Sequence, residues 1–549
     1  MGDNGDHNAG AALNRAALRL AVHADALLDS PAEYLRALWW WITGKKLRAR
    51  MQWAPLLARS PSAYRLWQEL EKRAEPSVSS RPLNLPKIRA LICDGDGFEA
   101  SLTSCEREGV RADIIRNAEK LETLSLAQDE WILPLRAGDQ LAAGAIARYS
   151  VAAACAGDTT HVIYADDDLI RETSGRQKPH LKPDWNSELF RHHDYVCGSA
   201  LLRAGTLSPL SSDQADWVEE FTAQALAACV ADGGEPQHIA HVLHHRCERP
   251  APRLPLPSIA ALDSSKDAPS ISVIVPTRNR LDLLSVCMEG VLNTPYPGDL
   301  DVIVIDNGSD DPSTLDYLEE LSEASVRVLR DDGPFNFAAL NNRAVEQATG
   351  DLLCFLNNDI EVKQTDWLNI LAHQALRNEV GAVGARLLYP SGLIQHAGVV
   401  TGIGGAAAHA HRGLSPDEEG YFHRHSLPQF VSAVTAACMV MKRENFKALG
   451  GFDADRFAVS FNDVDLCLRL RDQGLQILYE PRATLIHHES VSRGLDRDRE
   501  GAARQTRETH ALQRRWSIGL ASDGEKPKSA DPFHHPGLSP LSERFALRL

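Results

Sequence analysis

Along this chain the spacing of apolar positions shifts from a helical period to a strand period and back. Residues 11 to 73 are rich in Ala, Leu and Arg at helical spacing. Helices are predicted there, one of them opened by Pro31, because proline is tolerated in a helix's first turn. The polar run Glu75-Pro76-Ser77-Val78-Ser79-Ser80-Arg81-Pro82 then reads as part of a linker over 74–87. A second break, from Glu248 to Ser270, carries Pro250, Pro252, Pro255, Pro257 and Pro269. Two α/β modules are expected to flank it.

The segment after that break has the clearer pattern. It opens with the β-branched run Ile271-Ser272-Val273-Ile274-Val275, which ends at Pro276-Thr277-Arg278-Asn279. A helical stretch from Leu281 to Leu292 leads to the strand 302–305 and to Asp306-Asn307-Gly308-Ser309. A helix near 336–348 is followed by the strand Leu352-Leu353-Cys354-Phe355-Leu356, which delivers Asn357-Asn358-Asp359. Strand, helix and strand in repetition predict a mainly parallel sheet with right-handed crossovers, and open sheets of that kind bind ligands at the carboxyl ends of their strands. All three polar clusters fall on that edge.

The earlier segment repeats the pattern in worn form. Leu91-Ile92-Cys93-Asp94-Gly95 takes the place of the first strand, and Leu102-Thr103-Ser104-Cys105 matches Leu284-Ser285-Val286-Cys287. Asp113-Ile114-Ile115-Arg116-Asn117 parallels the 303–307 segment, with Arg116 where Asp306 stands. Trp131-Ile132-Leu133-Pro134-Leu135 echoes 352–356 but leads into Arg136-Ala137-Gly138-Asp139, without a clean metal motif. A duplication with one decayed site is the expectation. The predicted division is a helical region 1–85, a first module 86–250, a Pro-rich linker 251–269, a second module 270–500 and a C-terminal extension 501–549.

Bulk properties narrow the function. At 549 residues, 44% hydrophobic and 24% charged, the chain is ordinary globular material too long for one core. A formal net charge of -16 argues against nucleic acid as a partner, which requires a basic face. Ten cysteines occur singly with no C-x-x-C, so they are expected to be reduced core residues and not a disulfide or zinc framework. No apolar stretch reaches spanning length, and Met1-Gly2-Asp3-Asn4 lacks a basic segment before an apolar core, which predicts a cytoplasmic, non-spanning protein. One region departs from the acidic average. Between Glu33 and Glu69 there is no Asp or Glu, while Arg36, Lys45, Lys46, Arg48, Arg50, Arg59 and Arg65 gather around Trp39-Trp40-Trp41 and Trp53. Two readings stand: an interfacial helix on an anionic membrane surface, or tryptophans that pack the helices onto the next domain.

Across residues 269–500 the motifs resemble those of the family 2 glycosyltransferases, which have the GT-A (Rossmann-like) fold. The resemblance rests on Pro276-Thr277-Arg278-Asn279, Asp306-Asn307-Gly308-Ser309, Phe335-Asn336-Phe337 with Asn341-Asn342, Asn357-Asn358-Asp359, Gly450-Gly451-Phe452-Asp453, Asn462-Asp463-Val464-Asp465 and His487-His488-Glu489-Ser490. More narrowly, Tyr164-Ala165-Asp166-Asp167-Asp168, Lys182-Pro183-Asp184-Trp185 and Asp531-Pro532-Phe533-His534-His535-Pro536 are similar to segments of the two-module transferases of O-antigen and surface-polysaccharide assembly. The fold class implied is α/β, with two GT-A-like modules in tandem and mainly parallel sheets after a helical N-terminal region.

The resemblance implies roles. Asp306 accepts hydrogen bonds from the nucleotide's base beside Pro276 and Thr277, with Arg278, Asn279, Asn336, Asn341, Asn357, Asn358 and Asp465 on the substrate side. Asp-Asn-Gly-Ser is also good turn chemistry. Asp359 binds Mg²⁺ or Mn²⁺ together with donor diphosphate oxygens, although Asn357 replaces the usual first aspartate and adds no charge. His487 completes the metal shell or is a core histidine. Asp463 is the catalytic base, at the start of the helical run that follows it; relatives usually have Glu at position 462. Gly402-Ile403-Gly404-Gly405, flanked by His396, His409 and His411, is expected to form a mobile loop on the acceptor side. In the first module Gln214 stands where relatives carry the base, and Asp166, Asp167 and Asp168 are expected to be solvated, so that module is read as a scaffold or acceptor platform. The implied activity is inverting transfer from a UDP- or dTDP-linked sugar to a lipid-linked or polysaccharide acceptor, peripheral on the membrane. The alternative is a non-catalytic glycan-binding or assembly protein.

Overall fold

A computed structural model describes residues 3–74, 85–116, 126–171, 173, 175–208, 216–259, 262, 268–488, 499–519 and 531–549. Ile271–Thr277 is a strand buried along its whole length. A strand covered on both faces has no need of polar alternation, which is why its sequence reads as one apolar run. Val273 and Val275 pack with Leu284, Met288 and Trp367 on one face, and Ile274 packs with Phe337, Leu340 and Val345 on the other. Each fully buried Val or Ile stabilises the fold by roughly 1.5–3 kcal/mol.

The sheet around this strand runs in the order 327–330, 300–306, 271–277, 352–356, 438–442, 380–388, 476–487 and 360–361. The first four strands are parallel to one another. Cys438–Lys442 then enters antiparallel to both neighbours, and Val380–Leu388 and Gln476–His487 are again parallel. Helix–strand alternation announced the parallel block, whereas the antiparallel insertion arises from a long return connection that has no periodic signature.

From its second strand onward this order is repeated in the N-terminal half, with 111–115, 88–93, 131–135, 200–203, 162–171, 237–246 and 140–141. Sense is conserved as well: 111–115, 88–93 and 131–135 are parallel, 200–203 is antiparallel to both neighbours, and 162–171 pairs parallel with 237–246. The repeat seen as scattered echoes in the sequence is thus a repeat of topology.

Four helices, Asp3–Asp29, Pro31–Ile42, Lys46–Ala58 and Ala63–Ala74, precede the sheets, and Pro31 sits in a first helical turn as expected. Asn186 joins the halves: its side chain accepts from Leu189 N as a helix cap while also donating to Phe430 O and accepting from Phe430 N. The segment 531–549 straps all three regions, through Asp184 N to Pro532 O, Thr401 N to Asp531 and Trp67 Nε1 to Gly537 O. All ten cysteines are unpaired, seven of them buried. Among the described residues no helix is long and apolar enough to cross a membrane.

Candidate active site

Asp306 ends its strand in register with Thr277, and both are buried. Its Oδ1 accepts from Ser309 N at 2.9 Å, which closes the Asp-Asn-Gly-Ser turn, and its Oδ2 is held by Arg330 from the neighbouring strand. Arg330 also donates to Ser309 O at 2.9 Å and to Asp332 at 2.7 Å. The turn reading and the ligand-edge reading therefore coexist in one carboxylate. Thr277 Oγ1 accepts from Asn358 Nδ2 at 2.9 Å, which links the nucleotide edge to the 357–359 loop.

Asp359 and His487 lie side by side because Ile360 pairs with His487 across an antiparallel bridge. His487 Nε2 is 3.0 Å from Asp359 Oδ1 and accepts from Asn357 Nδ2 at 3.3 Å, while His487 Nδ1 lies 2.7 Å from Gln395 Oε1. The Gln395 side-chain oxygen fixes the ring through Nδ1 and leaves Nε2 directed at the Asp359 carboxylate. Metal-binding histidines have this arrangement, with the distal N–H fixed by an acceptor and the proximal nitrogen directed at the ion. The Asp359 carboxylate and the His487 imidazole are the two side chains that would hold a divalent cation here.

Asp463 is the second residue of the helix Asn462–Asp472, at its positive end. It is half-buried, and its Oδ2 accepts from Ala436 N at 3.1 Å. Ala437 O in turn accepts from Asn357 N at 3.0 Å. A contiguous chain of contacts thus runs from Asp306 through Asn307, Thr277 and Asn358 to the 357–359 loop, then through Ala436–Ala437 to Asp463. The three carboxylates named from sequence share one edge of one sheet.

Other named residues have different places. Asn336 caps a helix through Ala339 N and donates to Ala454 O, and Asn341 is buried and donates to Phe337 O. Asn279 spends its amide on Asp310 and Asp311. Asp465 is buried against Arg469, Arg515 and Trp516. All four make hydrogen bonds or ion pairs within the protein, and Asn341 and Asp465 are buried. Pro276 is buried at the strand end and Arg278 beside it is exposed. Sequence reasoning missed Arg330 and Gln395. Neither belongs to a motif, and each reaches the site only through strand pairing. The Gly402–Gly405 turn, expected from sequence to be a mobile loop, is bonded through Gly404 N to Pro540 O and Gln513 Nε2 to Gly405 O.

The first module corrects a larger expectation. Asp166, Asp167 and Asp168 are buried, not solvated. Lys182 Nζ lies 2.7 Å from Asp167, which Arg249 also contacts, and Arg176, His245 and Tyr64 converge on Asp168. Burial alone would raise the Asp167 carboxyl, but Lys182, Arg249 and Arg246 hold it well below the usual range. Strand register also reveals what the sequence hid: Asp139 precedes the Gln140–His245 pair as Asp359 precedes the Ile360–His487 pair. One extra residue after Leu135 concealed the match. Arg246 Nε stands 3.6 Å from Asp139 Oδ2. The Gln214 comparison falls outside the described residues.

Asp166, His238 and His535 also form a compact cluster with metal-like spacing. Its proton arrangement differs from that at His487. His535 Nδ1 accepts from Gly537 N at 2.8 Å, which puts the ring proton on Nε2, 2.7 Å from Asp166. His238 lies 3.0 Å from both Asp166 and Asp184. Burial lowers the His238 pKa, yet the two carboxylates outweigh it and raise it overall.

Residues 272–450 match the family described as Glycosyl transferase family 2. An uncharacterized protein of Sinorhizobium fredii is 36% identical over 425 residues, covering 70% of this chain and 46% of that protein. The O-antigen biosynthesis protein RfbC of Myxococcus xanthus is 33% identical over 500 residues, covering 84% of this chain and 36% of that one. The chain thus spans less than half the length of either relative. A mannosyltransferase from Pyrobaculum calidifontis, solved in complex with GDP-Man and Mn²⁺, is 20% identical with a TM-score of 0.35, covering 52% of this chain and 71% of that chain.

Proposed function

We propose that this chain, which belongs to glycosyl transferase family 2, moves a sugar from a nucleotide-sugar donor to a lipid-linked or polysaccharide acceptor in bacterial surface-glycan synthesis, with inversion at the anomeric carbon. The observation that supports it most is the continuous chain of contacts joining Asp306, Asp359 and Asp463 at the carboxyl edge of one sheet. RfbC, named for O-antigen biosynthesis and similar over most of this chain, supports the surface-glycan reading.

In this reading Asp306 accepts an N–H from the nucleobase and Arg330, already beside it, donates to a neighbouring carbonyl. Bases that present both groups, uracil and thymine among them, suit that pair. Asp359 and His487 hold Mg²⁺ or Mn²⁺, which when bound offsets the charge of the leaving diphosphate. Asp463 takes the proton of the acceptor hydroxyl. The acceptor oxygen then forms its bond to the anomeric carbon while the opposite carbon–oxygen bond breaks, its electron pair leaving on the nucleoside diphosphate. One base and one hard cation suffice for such a single displacement.

The test uses a panel of nucleotide sugars titrated with and without Mn²⁺, followed by transfer or donor-hydrolysis assays on the chain and on Asp463→Asn. Metal-dependent donor binding that survives in the variant, with turnover lost, is expected. Undiminished turnover would remove Asp463 from its role, and silence toward every donor would favour the binding-protein alternative.

A further inference from the structure

The second and third helices form a hairpin whose tip is exposed throughout: every residue from Trp41 to Arg48 is open to solvent. Its inner face is anchored, with Ala37, Ala49 and Leu56 buried and Trp53 packed among His23, Tyr34 and Trp41 at ring separations of 5.7–6.0 Å. The two readings of the tryptophans therefore divide between them. Trp53 packs, while Trp39 is 64% exposed and Ile42 70% exposed, with Leu35 and Leu47 also open. Lys45, Lys46, Arg48 and Arg50 surround these apolar groups, with Arg48 stacked 4.3 Å over Trp40.

We propose that this hairpin tip docks on an anionic phospholipid bilayer. Large apolar side chains exposed together on a folded protein mark an interaction surface. The surrounding charge selects the partner. Lysine is depleted at protein–protein interfaces, whereas a bilayer surface accepts Trp, Ile and Leu at headgroup depth and Lys and Arg against lipid phosphates. Local charge is complementary to an anionic leaflet although the chain as a whole carries -16.

The docking has a direction. The side chain of Met51, on the third helix, reaches to 3.5 Å from where a Cβ on Gly404 would stand, and Tyr64 and Trp67 of the fourth helix pack with Val400 and Ile403. The hairpin therefore leans on the Gly402–Gly405 turn, a few residues along the chain from Gln395, which orients His487. A bilayer at the tip would bring the acceptor side of the site toward the membrane. That consequence rests on the acceptor being lipid-linked, whereas the docking itself does not.

Co-sedimentation of the full chain with phosphatidylcholine vesicles, alone or with one part in three of phosphatidylglycerol, tests the proposal with neither donor nor acceptor present. The chain should follow the anionic vesicles far more than the neutral ones, and less so at high salt. Trp39→Ser with Ile42→Ser should weaken binding at least about tenfold, and Lys45→Glu with Lys46→Glu by a comparable factor. Thermal midpoint and donor affinity should be unchanged in both, since these side chains project into solvent. Equal binding to both vesicle types, or binding indifferent to both double variants, would overturn the proposal. So would absence from vesicles together with a solution dimer that the Trp39/Ile42 variant abolishes, which would assign the face to a second copy. Transfer activity can fail with the vesicle result intact, so the two readings fall separately.

Discussion

From the strand 300–306 onward the C-terminal sheet has the strand order and senses of the N-terminal one, yet, apart from Asp306, which Arg330 holds, its acidic edge positions have different neighbours. In the N-terminal sheet Asp139 is opposed by Arg246, Asp167 by Lys182, and Asp168 by Arg176 and His245. Burial pushes Asp139 up to about 6 while Arg246 pulls against it. In the C-terminal sheet Asp359 instead lies 3.0 Å from the His487 ring, and Asp463 accepts two backbone N–H groups, from Ala436 and Val464. A cation supplied by the chain fixes a carboxylate in the scaffold. A carboxylate whose neighbours are an imidazole or backbone N–H groups keeps the capacity to bind a cation or take a proton from outside.

Four perturbations break or sharpen that contrast. The largest effect is expected at Asp463. Its Asn variant should lose about 10²–10⁴-fold in turnover, while Asp139→Asn, at the corresponding edge of the other sheet, should leave turnover within about twofold of the unaltered chain; parallel transfer assays decide it. Next comes Lys182→Met, which strips a buried cation from Asp167. Breaking a buried pair from one side costs about 3–5 kcal/mol, and thermal unfolding should report it without a change in donor affinity measured below the transition.

At Gln395 the expected effect is on metal affinity. Gln395→Leu removes the acceptor that orients the His487 ring, and Mn²⁺ affinity read by paramagnetic resonance should fall about 10–100-fold. An unchanged affinity would place the ion away from His487. The smallest effect concerns the joint between the sheets, where Arg377 lies 2.7 Å from Glu188. Burial alone would raise Glu188, but His192, Arg377 and Arg191 overcome it and hold the carboxyl at about 2. Because the folded-state value is depressed, its contribution is present above about 4.5 and is lost as pH falls toward 2. Arg377→Leu should therefore lower the thermal midpoint by a few degrees at pH 7, roughly 2–4 °C per kcal/mol, and the difference should vanish near pH 2.

Much of this was legible before any coordinates. The continuous apolar runs at 271–275 and 352–356 are strands because only a strand buried on both faces tolerates them, and that reading alone put Asp306 and Asp359 on one edge. Asp463 at a helix start followed from the apolar run after it. Side-chain partnership was not legible. Asn336, Asn341 and Asp465 carry the same motif letters as ligand residues, but their side chains close on nearby backbone, on Ala454 O and on Arg469 and Arg515, partners that no motif announces. Asp166–Asp168 looked solvated because their neutralisers, Lys182, His238, His245, Arg249 and His535, lie in other strands and at the far C-terminus.

The order of apolar and polar positions therefore determined the strands, the helices and the duplication, since burial and hydrogen bonding along one element are local demands. Which carboxylate is neutralised and which is left to chemistry was decided only when the chain folded, because charge pairing depends on distance in space, and strand pairing sets that distance between residues far apart in sequence.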